Sequence, residues 1–131
     1  MVYTYPACFY TADDGITVDF PDLPGCVTCG MTMDEAILMA EDAACGWIHS
    51  ALEDDEPIPS PSDYKNVTAT EYDNGFVNLI RLDIDEFERK INPEIVSRSC
   101  LLPNWLNALA ERRGINFSAA LQRAIQQELG I

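Results

Sequence analysis

The sequence predicts an α+β protein in two parts, a small β-β-β-α-β layer followed by a short β-α-α unit. Three observations carry that prediction. Ile16-Thr17-Val18-Asp19-Phe20 alternates apolar and polar residues, as a half-buried strand does. Apolar residues recur at helical spacing from Ala36 to Leu52. After Asn92-Pro93 the pattern changes, and a second strand and two short helical stripes fill the rest of the chain.

In chain order, Val2–Tyr5 through Cys8–Tyr10 is rich in β-formers, with Pro6 marking an edge or a bulge. Asp13-Asp14-Gly15 is a turn, Pro21–Gly25 a rigid loop, and Cys26–Gly30 a short third strand. Thr32-Met33-Asp34-Glu35 fits a capping box, so the main helix starts there. Its apolar face is Ala36, Ile37, Ala40, Ala43, Ala44, Trp47, Ile48, Ala51 and Leu52. Asp34, Glu35, Glu41 and Asp42 lie near its positive end or on its solvent side. Three prolines between Asp54 and Asp63 stop it.

Phe76–Leu82 is a further strand, and Val67–Glu71 a candidate for another. Asp83–Glu94 reads as a helical turn plus linker. Val96–Leu102 is a strand, and Pro103 opens a helix striped by Trp105, Leu106, Leu109 and Ala110. That helix stops at Gly114. Asn116 or Ser118 caps a last helix striped by Leu121, Ala124, Ile125 and Leu129. Fewer than forty residues cannot bury a core alone, so this end should dimerise. The sequence divides into residues 1–86, a linker at 87–94, and residues 95–131. Trp47 and Trp105 are expected in cores.

The charge is polarised. The formal net charge is -14. Residues 1–80 carry fifteen acidic side chains and one basic one, Lys65; residues 81–131 carry seven of each. From Arg89 onward six bases face only Glu94, Glu111 and Glu128. The acidic part should attract a basic surface and repel nucleic acid, while the basic end tolerates a phosphate backbone.

Other classes are disfavoured. No apolar run is long enough for a bilayer and no basic-then-apolar leader opens the chain, so a cytoplasmic protein with no membrane partner is expected. Five cysteines (Cys8, Cys26, Cys29, Cys45, Cys100) are an odd number, which argues against a disulfide framework. Cys26-x-x-Cys29 lacks a second ligand pair and His49 is the only histidine, so neither metal nor cofactor is expected. A nucleophile–histidine hydrolase is disfavoured by that lone histidine. A two-metal nuclease would need Asp19, Asp83 and Asp85 to converge, and its acidic surface would repel the substrate. No catalytic residue is assigned and no enzyme is expected.

Two segments carry a family resemblance. Phe20-Pro21-Asp22-Leu23-Pro24-Gly25-Cys26-Val27-Thr28, then Gly30, Thr32, Glu35-Ala36 and a helix with Trp47, resembles the N-terminal domain of HicB-family antitoxins. Leu102-Pro103-Asn104-Trp105-Leu106-Asn107 with Gly114-Ile115-Asn116-Phe117-Ser118 resembles the ribbon-helix-helix ending of one branch of that family. The resemblance implies a degraded, inactive ribonuclease-H-like domain over 1–86 that neutralises a small basic HicA-type mRNA-cleaving toxin. It implies a dimeric ribbon-helix-helix domain over 95–131 that binds operator DNA and represses its own operon. The assembly would be a homodimer, or a tetramer if the N-terminal domains also associate.

Under that resemblance, Asp13, Asp14, Asp19 and Asp22 are the acids expected to meet the toxin. If Leu102 is the last core residue of the ribbon, Cys100 shares its face, and Ser97, Ser99 and Leu101 point into the DNA groove. Arg98 falls on the core-facing side and is assigned to a phosphate from the strand end. Asn116 and Ser118, at the start of the last helix, present backbone N–H groups to a phosphate. Arg112, Arg113 and Arg123 are candidates for backbone contact. The alternative is a stand-alone ribbon-helix-helix regulator whose N-terminal domain senses a small ligand.

Overall fold

The computed structural model describes residues Met1–Ile131 and shows a mixed α+β protein with an antiparallel sheet. The sheet contains β1 (Val2–Ala12), β2 (Gly15–Asp19), β3 (Val27–Gly30) and β4 (Gly75–Asp83), in the order β3-β2-β1-β4. The helices are α1 (Met33–Glu53), α2 (Ile84–Ile91), α3 (Asn104–Arg112) and α4 (Phe117–Leu129). The chain divides into two compact units, Met1–Glu94 and Ile95–Ile131.

In the first unit, Asp13 and Asp14 turn β1 back on β2, pairing Ala12 with Gly15 and Cys8 with Asp19. Pro6 lies in an internal strand, not at the edge of the sheet. The β1–β2 ladder begins only at Cys8, so β4 is the sole strand partner at Pro6, where it faces Leu79. A missing N–H is tolerated there because one side of the strand is free of a ladder. β4 is an outer strand, and the Asn78 side chain accepts a hydrogen bond from the Leu79 N–H at 3.0 Å, which masks one edge donor.

Alternation sends Tyr5, Ala7 and Phe9 of β1, Val18 of β2, and Ile80 and Leu82 of β4 into one core with α1. α1 answers with Ala36, Ala40, Ala44 and Ile48, all fully buried. The alanine row lets the helix lie close on the sheet. Burying residues such as Phe9, Ile48 and Leu82 stabilises the unit by about 1.5–3 kcal/mol each. The closest approach is at Gly30, where a Cβ would sit 2.5 Å from the Ala36 nitrogen. The Thr32 side chain caps α1, accepting from the Glu35 N–H at 3.2 Å, as the capping box predicts.

The opposite sheet face is also covered. Pro6, Cys8 and Tyr10 are buried there beneath the segment that leads into β4. Within it, the Thr68 carbonyl accepts from the Cys8 thiol at 3.8 Å, and the Glu71 N–H donates to the Tyr10 hydroxyl at 3.3 Å. Tyr72 packs edge-on against Tyr10. Val67–Glu71 is therefore not a strand: Thr68 and Glu71 spend backbone groups on side chains of β1.

The expected linker at 87–94 also differs. Asp83 caps α2 by accepting from the Glu86 N–H at 3.1 Å, and α2 runs to Ile91, stopping before Asn92-Pro93. Ile84 is buried and Phe87 packs on the core, so α2 belongs to the first unit. His49 on α1 bonds Glu88 on α2.

In the second unit, α3 ends with Gly114 at φ +64°, and the Ile115 N–H reaches the Ala110 carbonyl at 3.0 Å, a glycine-terminated helix stop. Asn116, not Ser118, caps α4, accepting from the Ala119 N–H at 3.1 Å. Val96–Leu102 is irregular and exposed, where a strand was expected. A ribbon strand has no ladder partner within a single chain. Trp105 is likewise 66% exposed instead of packed in a core.

Candidate functional site

The candidate functional surface of the first unit is its acidic exterior, and the structure distributes the acids unevenly. Asp13 and Asp14 sit exposed at the β1–β2 turn. Asp19, at the far end of β2, is half-buried. Burial, and then the charge of Glu71, raise its carboxyl above the usual aspartate value. Asp22 is already engaged: its carboxylate accepts from the Ser62 N–H at 2.9 Å and from the Ser62 hydroxyl, stapling one loop to another. The five residues of β2 put roughly 17 Å between the two ends of this set. The four predicted acids therefore do not form one patch. Asp13 instead shares a shallow groove of about 500 Å³ with Tyr10, Thr17, Tyr72 and Asp73.

A denser acidic surface lies on α1. Asp34, Glu35, Glu41 and Asp42 are all exposed, and among them stand Leu38 and Met39, 64% and 41% exposed. The signal was present in the spacing, since positions three and four apart share a helix face. Beside this surface, α1, β4 and α2 enclose a cleft of about 350 Å³ lined by Leu38, Glu41, Asp42, Arg81, Asp83 and Glu86, among others.

Cys8, Cys26 and Cys45 are buried in the fold, and His49 is bonded to Glu88. Burial pushes Cys26 up to about 11, with Asp19 adding to the effect, and does the same to Cys45, with Glu41 and Asp42 adding. Cys29 is exposed, so the C-x-x-C pair is divided between interior and surface. The Trp47 indole packs on the core and donates to the Pro24 carbonyl at 3.0 Å. Glu88 accepts from Asn92 at 2.7 Å as well as from His49, and these bonds hold its carboxyl below the usual glutamate value, the Asn92 bond most.

The second unit has no core of its own. None of the residues of α3 or α4 is buried. Leu106, Leu109, Leu121, Ile125 and Leu129 all expose large apolar area. Ser97, Arg98, Ser99 and Leu101 lie on the exposed segment ahead of α3. Asn116 and Ser118 stand at the start of α4, where Asn116 already spends its side-chain oxygen on the cap.

The profile of the HicB-like antitoxins of bacterial toxin–antitoxin systems matches residues 5–125. The chain belongs to this family. A 14.9 kDa protein of uncharacterised role from Haemophilus phage HP1 is 36% identical over 81 residues, covering 61% of each chain. Antitoxin HicB 2 of Photorhabdus laumondii subsp. laumondii is 41% identical over 58 residues, covering 44% of this chain. The chain thus spans 61% and 42% of the lengths of these two relatives. Among solved structures, a chain from a toxin–antitoxin complex of Streptococcus pneumoniae superimposes with a TM-score of 0.62 at 26% identity, covering 98% of this chain and 99% of that one. No helix is long and apolar enough to cross a membrane.

Proposed function

We propose that this chain is the antitoxin of a toxin–antitoxin pair, acting through both of its units. The first, a degraded ribonuclease-H-like layer without nuclease chemistry, binds a small basic HicA-type toxin and covers its RNA-cleaving surface. The second pairs with its copy as a ribbon-helix-helix dimer, binds operator DNA and represses the operon. The observation that carries this reading is the split between an acidic body and a basic end that exposes its apolar faces. The family membership and the similarity to a chain from a toxin–antitoxin complex support it.

Dimerisation gives Val96–Leu102 the ladder it lacks. Two such strands, one from each copy, form a ribbon that fits the major groove. Ser97, Ser99 and Leu101 then face base edges, where two short hydroxyls and one apolar contact give modest sequence discrimination. Arg98 and the N-terminal turn of α4 at Asn116 and Ser118 hold phosphates.

The test is co-expression with the small open reading frame beside its gene, followed by purification, a growth assay and an operator-binding assay. A stable complex that restores growth, and a chain that binds its own promoter as a dimer, are expected. If neither complex nor rescue is obtained and the promoter is still bound, the chain is instead a stand-alone regulator.

A further inference from the structure

We infer that the toxin docks on the outer face of α1, around Leu38 and Met39, and not on the acids of the β1–β2 turn. The inference rests on the proposed antitoxin role and names the surface through which it works. At 100° per residue, Asp34, Leu38, Glu41 and Asp42 fall on one face, with Glu35 and Met39 beside it. Asp34 to Asp42 spans about 12 Å of helix.

Two large apolar side chains stand next to each other in water, in the midst of the α1 carboxylates. Ala36, Ala40, Ala44 and Ile48 meet the core, while Leu38 and Met39 meet nothing within the unit that buries them. Their ring of four carboxylates has the form of an interface centre: apolar anchors that a partner desolvates, and a charged rim that selects it.

The charge identifies the occupant. A second copy would bring the same four carboxylates against each other within a Debye length of about 8–10 Å. Nucleic acid is repelled by the same field. A basic protein surface with an apolar spot at its centre is complementary to it. The adjoining cleft between α1, β4 and α2 is lined by Glu41, Asp42, Asp83 and Glu86 together with Arg81 and Lys90, and Lys90 pairs with Glu86, so the net negative charge of this side lies with the α1 carboxylates.

The experiment uses the full chain and the toxin polypeptide recovered from the co-expressed complex, with affinity and association rate measured at low and high salt. Leu38→Ala keeps helix propensity and touches no buried contact. It is expected to weaken binding by about 30-fold, the effect of a hot-spot residue. Glu41→Lys with Asp42→Lys is expected to slow association at least tenfold at low salt, and less at high salt. Asp13→Lys with Asp14→Lys is expected to leave the dissociation constant within about threefold. Circular dichroism melts confirm that each variant is folded.

Loss of binding in the turn variant with full binding in both α1 variants overturns the assignment and leaves the antitoxin role standing. Failure of the wild-type chain to bind the toxin removes the reading beneath it. If Leu38→Ala instead lowers the oligomeric state of the chain alone, the face belongs to a second copy and the assignment is wrong.

Discussion

Two glycines in the first unit should respond in opposite directions to the same substitution. Gly30 ends β3 where α1 begins to cross the sheet, and a Cβ built there lies 2.5 Å from the Ala36 nitrogen and 2.7 Å from its Cα. Both atoms belong to helix backbone, so no side-chain rotation relieves the clash and β3 or the first turn of α1 must move. Overpacking of this kind costs about 1–3 kcal/mol. In a unit of this size each kcal/mol shifts Tm by about 4–8 °C. Gly46 sits mid-helix in α1, where an added Cβ meets only the Phe87 ring, at 3.8 Å, an ordinary contact. Gly46→Ala removes the backbone freedom of glycine in the unfolded chain and should stabilise by about 0.5–1 kcal/mol. Urea denaturation of the full chain, followed by tryptophan fluorescence, reads both changes as shifts in midpoint at constant slope. Gly30→Ala as stable as the wild type, or Gly46→Ala less stable, would refute the close approach of β3 to α1 and the packing of α2 on which the argument rests.

The apolar stripe of α4 should carry dimerisation, so Ile125→Asp is expected to abolish the dimer in sedimentation equilibrium and operator binding with it, while the melting of the first unit is unchanged. Asp19 binds its proton more tightly in the folded state than in the unfolded one, so its ionised form opposes folding. Asp19→Asn should therefore raise stability at neutral pH, and the gain should disappear as pH falls below the ordinary aspartate value; equal stability at pH 7 in chemical denaturation refutes it. Ellman's reagent should titrate Cys29 rapidly in the native chain and Cys8, Cys26 and Cys45 only on unfolding, since burial keeps Cys26 and Cys45 near 11. Cys100, exposed in the single chain, should become slow when the ribbon forms; rapid reaction in a proven dimer contradicts its placement beside Leu102.

The β1–β2 hairpin and α1 were legible in the sequence because their signals are local. Alternation over Ile16–Phe20 specifies a strand, and Thr32 with Glu35 marks where the helix starts. What escaped depends on residues far apart in the chain. Val67–Glu71 has strand composition, yet its backbone groups meet the Cys8 and Tyr10 side chains, a pairing that no local window contains. α2 looked like a linker because it is mostly charged. Only the burial of Ile84 and Phe87 and the His49–Glu88 bond make it part of the unit. Among the candidate site residues, Asp22 looked like a free acid until Ser62 was found bound to it. The α1 acids were legible as a solvent face, and Leu38 and Met39 fall outside the apolar face read from Ala36 to Leu52, but their spacing alone does not set how far they are exposed.

The two units are incomplete in complementary ways. The first folds around its own core and leaves an uncompensated negative exterior. The second carries a small positive excess, Arg98, Arg112, Arg113 and Arg123 against Glu111 and Glu128, and leaves its apolar faces open. A charge excess of one sign is neutralised only by a surface of the other, whereas an open apolar face is closed by any surface of matching shape, including its own copy. Under the proposed function, the first unit is expected to take a different, basic molecule and the second its own copy. The order also matters for DNA. An acidic body tethered beside a phosphate backbone weakens the hold of the few arginines available to grip it. Under the proposed function, a basic partner bound to that body is expected to remove the repulsion, so that operator affinity measured with the toxin present should exceed that of the chain alone.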